Sequence, residues 1–139
     1  MKSDKTKLKD KAWSLTSLYV RRLYSDKNGY ARCYTCHKKD HYKNLQAGHF
    51  VPSRRISILF DLRGLRVQCI GCNVFQYGRP LEFMQEMEKE IGIDEARELR
   101  DELMRLRNAP KKMSESDYQD LILELNDLLT GLDIRDSHI

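Results

Sequence analysis

No apolar stretch in this chain approaches the roughly 20 residues that a helix needs to cross a bilayer. The charged opening, Met1-Lys2-Ser3-Asp4-Lys5, leads into no apolar signal core, so secretion is not expected. Internal repeats and low-complexity tracts are also missing. With 139 residues, 40% of them apolar and 33% charged, the chain is long enough for one soluble domain with a modest core and a helical appendage. A cytoplasmic protein without a membrane partner is the expectation. The chain has four cysteines. In a reducing compartment those thiols are better read as metal ligands than as disulfides.

The cysteines that are present stand in two matched pairs, Cys33-x-x-Cys36 and Cys69-x-x-Cys72. A Cys-x-x-Cys turn places two sulfurs on one ion with little backbone strain, and two such turns complete the tetrahedral thiolate set that zinc prefers. Neither pair opens a βαβ unit, which argues against a thioredoxin-like redox function. One structural Zn2+ on Cys33, Cys36, Cys69 and Cys72 therefore ties residues 30 to 80 together, a segment of short strands that would hardly fold alone. His37 and His41 lie nearby but read as surface residues, because four cysteines already satisfy the ion.

Charge is distributed unevenly behind a net balance of only +4. Residues 1 to 79 hold 17 basic and 5 acidic side chains, a balance of +12; residues 80 to 139 hold 8 and 16, a balance of −8. The basic half, which contains the cysteines, suits a phosphate backbone, since each Lys or Arg on a phosphate releases counterions. The acidic half suits a protein interface or solvent.

Periodicity predicts a helix over 5 to 24, with Leu8, Ala12, Leu15, Tyr19 and Leu23 as its apolar stripe and Trp13 beside it in the core. Asn28-Gly29 ends it. A strand is expected within 43 to 51, ending at His49. Pro52 breaks it, a loop carries Arg54 and Arg55, and a strand returns over 65 to 68. Asn73 then opens a short helix that Gly78 and Pro80 terminate, and it doubles as a candidate N-cap. Three helices follow. The first covers about 81 to 91, with Phe83, Met84, Met87 and Ile91 inward and Gly92 at its end. The second is capped by Asp94 and carries Leu99, Leu103 and Leu106. The third is capped by Ser114 with Asp117, or Ser116 with Gln119, and buries Leu121, Leu125, Leu128 and Leu129 before Gly131 closes it. Residues 136 to 139 are expected to fray. The fold class is thus α+β: a small zinc-stabilised finger (30–80) flanked by a basic N-terminal helix (1–29) and an acidic helical region (81–139). That region packs on the finger or forms a homodimer.

A histidine at a strand end, a basic loop, a returning strand and then Cys69-Ile70-Gly71-Cys72-Asn73 resemble the HNH, or ββα-metal, nuclease finger. The resemblance implies His49 as the general base that activates water. It implies Asn73 as ligand to a catalytic divalent ion, Mg2+ or Mn2+. A closer resemblance is to the phage NinG/Rap recombination endonuclease family. It is carried by Cys33-Tyr34-Thr35-Cys36, Ala47-Gly48-His49-Phe50, Phe60-Asp61-Leu62-Arg63, Gln68-Cys69-Ile70-Gly71-Cys72-Asn73, Gly78 and the trailing helices to about Leu132. That family implies a structure-selective enzyme of phage or prophage origin, nicking branched DNA such as D-loops and Holliday junctions. The chain departs from the broad finger pattern at three places. Gly48 stands where an acid usually precedes the histidine, leaving Gln46, on the same strand face, as a substitute ligand. Gly64 replaces the asparagine that pins the loop, a task left to Asp61 or Arg63. Gln76 replaces a lysine. Arg54, Arg55, Arg63 and Arg66 are the candidate phosphate contacts; Tyr30, Tyr34 and Tyr42 read as packing around the zinc rather than as base-stacking residues. The missing acid keeps a second function open, a zinc-stabilised DNA-binding module without catalysis, and the acidic helices a third, a protein-interaction adaptor.

Overall fold

The structure is a computed structural model that describes residues 1–138. The protein is α+β and mostly helical, with two small two-stranded antiparallel sheets. Its elements run α1 (Asp4–Leu23), β1 (Tyr30–Arg32), β2 (Lys39–His41), β3 (Leu45–His49), α2 (Ile56–Leu59), β4 (Leu65–Cys69), α3 (Pro80–Ile91), α4 (Ile93–Arg107) and α5 (Glu115–Ser137). No described helix is long and apolar enough to cross a membrane.

Helix α1 starts where Ser3 accepts a hydrogen bond from the Thr6 amide. Its buried line is Ala12, Thr16 and Val20, with Leu8 and Leu15 packed alongside, while Leu23 is exposed. The expected stripe was off by part of a turn because Thr16 is buried as a surrogate apolar residue. Its hydroxyl donates to Ala12 O at 2.8 Å and so needs no water.

The hairpin β3–β4 is the centre of the molecule. Leu45 pairs with Cys69 and His49 with Leu65, in strict antiparallel register. Alternation gives it two chemical faces. Ala47 and Leu65 pack with Val20 of α1, and Leu45 and Val67 with Ala31 of β1. Gln46, Gly48, Arg66 and Gln68 face the other way, toward the cysteine knuckle and α3. Gly48 is required by close approach: a Cβ there would overlap Gln68 Oε1 and stand 3.1 Å from Asn73 Oδ1. Gly64 plays a similar part, since its Cβ would press on Leu103 Cδ1 at 2.8 Å.

The C-terminal helices close the core around Phe50, Phe83, Met87, Ala96 and Leu103. Helix α4 begins directly after Gly92, at Ile93; Asp94 lies within its first turn and is not its cap. Helix α5 has the expected capping box of Ser114 and Asp117. It runs through Gly131 to Ser137 instead of closing there, burying Tyr118, Ile122, Leu125, Leu129 and Leu132. Leu121 and Leu128 are only half-buried. Tyr118 and Ile122 pack with Ala12 of α1, so this part of the apolar face is covered within the chain. The continuation past Gly131 has a polar cause. Arg135 donates to the carbonyls of Arg22, Leu23 and Ser25 at the end of α1, and Asp133 and Asp136 pair with Arg22. Asp136 is therefore tied down rather than frayed; Ile139 lies outside the described residues.

Candidate functional site

The two Cys-x-x-Cys turns meet at one end of the hairpin. The four Sγ atoms lie within 4.8 Å of one another, with Cys36 and Cys69 3.7 Å apart. Four thiolates about 2.3 Å from a tetrahedral ion stand about 3.8 Å from each other, so this set can hold a metal ion such as zinc. Hydrogen-bond donors approach two of the four sulfurs. Thr35 Oγ1 lies 3.4 Å from Cys33 Sγ, and the Cys72 amide donates to Cys69 Sγ at 3.4 Å. Burial opposes ionisation of Cys33, yet the Thr35 hydroxyl and the backbone donors of Cys36 and Cys69 outweigh it and bring that thiol down to about 6. Burial instead pushes the Cys72 thiol up to about 12. Cys33 and Cys72 are thus shifted in opposite directions, and a bound cation would favour the thiolate form of both. His37 takes no part: its ring Nε2 sits 3.0 Å from Glu86 Oε1.

At the other end of the hairpin a cleft of about 700 Å3 opens between α1, β3 and the turn after the knuckle. Its lining includes Trp13, Gln46, His49, Arg54, Asn73 and Tyr77. Sequence candidates from three separated segments thus share one space. His49 Nε2 lies 3.0 Å from Leu59 O. A carbonyl can only accept, so Nε2 carries the proton and Nδ1 keeps the lone pair of a base. The imidazole stacks on the Trp13 indole, with centroids 5.4 Å apart and planes 12° from parallel. The Arg54 guanidinium covers the same indole, 4.9 Å from its centroid. Burial lowers the His49 pKa below the ordinary histidine value, and the Arg54 charge lowers it further, so the ring is neutral at pH 7.

Asn73 does not open a helix. A single π turn spans Gly71–Phe75 with Asn73 at its middle, and its start has no side-chain cap. The Asn73 amide donates instead to Gln46 Oε1 at 2.8 Å, leaving Asn73 Oδ1 directed toward Gly48. Gln68 is fully buried; its amide nitrogen donates to Thr35 Oγ1 and Gly78 O, so its oxygen is turned toward Gly48, and no described residue donates to it. The polar atoms near Gly48 are therefore amide oxygens, and the cleft lining contains no carboxylate. Amide oxygens hold a hard divalent cation more weakly than carboxylates do, so these protein donors alone make a weak site for a catalytic ion.

The arginines divide. Arg54 lines the cleft. Arg55 is bonded to Arg107 O outside it. Arg63 forms ion pairs with Asp61 and Glu102, and Asp61 also accepts from the Arg63 amide, pinning the loop as expected. Arg66 is 6% exposed, paired with Glu90 and flanked by Tyr24 and Tyr34. Arg63 and Arg66 thus both have acidic partners within the fold, Arg63 at the surface and Arg66 buried. Tyr34 likewise packs on Phe83 and donates to Glu90. Two residues escaped the sequence reading. Trp13 packs against Val20, Ala47 and Leu65 as expected and is also a wall of the cleft; nothing in its local sequence signals the second role. Tyr77 was overlooked, although the Gly78 beside it signals a turn that displays it.

The class these observations define is an α+β protein with a four-cysteine knuckle able to hold a metal ion and a histidine cleft on one hairpin. Comparison with protein-family models, curated proteins and solved structures yields no match.

Proposed function

We propose that this protein is an endonuclease of the ββα-metal, HNH-like class, related to the NinG/Rap family, that hydrolyses DNA phosphodiester bonds and nicks branched recombination intermediates. The observation that carries the reading is the state of His49: a neutral imidazole, oriented by Leu59 O, with Nδ1 as a free base in a cleft beside Arg54. In this reading Zn2+ occupies the four cysteines as a structural ion. Arg54 holds a backbone phosphate by charge, and Trp13 fixes both Arg54 and the His49 ring. His49 Nδ1 takes a proton from water as the water oxygen bonds to phosphorus; the P–O3′ bond breaks and solvent protonates the leaving oxygen. The general-base contribution expected of such a histidine is about 10²–10⁴-fold. The resemblance adds Mg2+ or Mn2+ to this chemistry, but the cleft supplies no carboxylate to hold it, and no step here is derived through an ion.

The same missing carboxylate favours a second reading, a zinc-stabilised DNA-binding module without catalysis. One experiment separates the two. Labelled Holliday junction, D-loop and plain duplex are incubated with the protein and with His49→Ala, in Mg2+, in Mn2+ and in chelator. Cutting by the parent alone supports the nuclease. Salt-sensitive binding by both, with no cutting by either, selects the binding module.

A further inference from the structure

We propose that Tyr77, with Phe75 two residues before it, is a stacking platform for unpaired DNA bases at the mouth of the His49 cleft. This inference rests on the nuclease reading and deepens it, because it assigns a side chain to branch recognition.

Three observations converge on this turn. The first is exposure. Tyr77 is 87% exposed and Phe75 70%, yet Tyr77 also lines the cleft that holds His49, Asn73 and Arg54. Ile70 and Val74 on the same knuckle and Leu81 just after it are exposed as well, so the segment presents an apolar patch where a soluble protein would normally hide one.

The second is backbone strain. Tyr77, Gly78 and Arg79 take successive positive φ values of 54, 84 and 49°. Glycine adopts such angles freely, but a tyrosine there is an outlier that persists only when its surroundings enforce it. They do: the Gly78 amide donates to Cys72 O at 2.8 Å, Gly78 O accepts from buried Gln68, and the Arg79 amide donates to Gln76 O at 3.0 Å. The turn is anchored to the metal knuckle and the hairpin core, while the side chain it displays gains almost no packing in return.

The third is the chemistry opposite. Across the cleft stand the Trp13 indole and the Arg54 guanidinium stacked on it, and Arg54 is the one charged residue of the lining. Arg54 offers the charge a phosphate needs and Tyr77 the open face a nucleobase needs, the combination by which proteins hold single strands without reading sequence. A base within a duplex offers no free face, so the platform selects DNA whose bases are unpaired.

The test uses the full chain carrying His49→Ala, so that bound DNA stays intact. A forked oligonucleotide with 2-aminopurine in its unpaired segment is compared with a fully paired duplex. The expected result is that binding quenches the fork's fluorescence. Adding Tyr77→Ala abolishes the quenching and weakens fork affinity about tenfold with duplex affinity unchanged; Tyr77→Phe retains both. Tyr77→Gly raises the melting temperature while losing the fork, since it removes the strain and the ring together. If Tyr77→Ala binds and quenches the fork like its parent, the platform is overturned and the nuclease reading stands. If fork and duplex both fail to bind, the nuclease reading fails and takes the platform with it. A dimer in sedimentation that Phe75→Ala with Tyr77→Ala dissolves would show the patch to be covered by a second copy, and also overturns the inference.

Discussion

One hairpin carries two sites of opposite construction. The knuckle, where Cys69 ends β4, draws all its ligands from two local turns that specify their own geometry. The cleft, where His49 ends β3, is assembled from α1, β3, the loop after it and the knuckle turn. The first is chemically complete in its protein donors. The second has a base and a cation but no acid. The contrast teaches that a metal site can be encoded by spacing, because tetrahedral thiolate geometry tolerates little else. A catalytic cleft is encoded by which distant elements the core brings together.

The largest effect should come from breaking the knuckle. Removing its metal with a chelator, or changing Cys69→Ser, is expected to unfold or aggregate the protein. Thiolate–zinc binding of about 10–16 kcal/mol exceeds the net stability of most domains this size. Circular dichroism and a thermal melt read this directly; an unchanged melt would show that the cysteines are not structural. Metal uptake should also release protons at neutral pH, since burial raises the Cys72 thiol, which isothermal titration in buffers of different ionisation enthalpy detects.

Second, His49→Ala should remove cleavage by about 10²–10⁴-fold while lowering the melting temperature by only a few degrees. If both changes unfold the protein equally, the contrast between the sites collapses. In the parent, the depressed His49 pKa sets the acid limb: activity rises as pH climbs through a value below about 6.5 and is then flat through neutrality. Arg54→Ala should move that limb upward toward the ordinary value, because it removes a positive charge that disfavours the imidazolium.

Third, Arg66→Ala and Arg54→Ala should diverge. The former leaves Glu90 without its partner and opens space between Tyr24 and Tyr34, costing about 1–3 kcal/mol of stability while sparing DNA binding per folded molecule. The latter should weaken DNA binding, reduce its salt dependence by about one phosphate, and barely move the melt.

The smallest expected effect separates the chain from the broad finger pattern. Gly48→Ala should cost about 1–3 kcal/mol, since its Cβ displaces the pinned Gln68 amide. Gly48→Asp should bring the same strain; combining it with Gln68→Ala should recover part of the stability. Full stability of Gly48→Asp alone would mean that Gln68 yields easily and that the missing acid has no steric cause.

Much of this was legible in the chain. The two Cys-x-x-Cys pairs, the strands ending at His49 and beginning at Leu65, and the capping box at Ser114 follow from local rules of ligand spacing, alternation and hydrogen-bond capping. The failures were of a different kind. Thr16 replaced the expected apolar stripe because a hydroxyl can satisfy itself on its own helix. Gly131 did not stop α5 because Arg135, Asp133 and Asp136 found partners at the end of α1. Asn73 gave its side chain to Gln46 rather than to a helix start. For Gly131 and Asn73 a contact from another part of the fold outweighed a local preference of about a kilocalorie; for Thr16 the deciding bond lies within its own helix.

By itself the sequence determined the four-thiol set that can hold a metal ion, because two fixed spacings bring the sulfurs together, and the placement of His49 at a strand end, because alternation and Pro52 are local. Only the tertiary structure decided which arginine is free, which aromatic is exposed, and why residue 48 has no side chain. Those outcomes depend on what stands opposite, Glu90 for Arg66, the open cleft for Tyr77 and Gln68 for Gly48, and proximity across a fold is not written in the order of the residues.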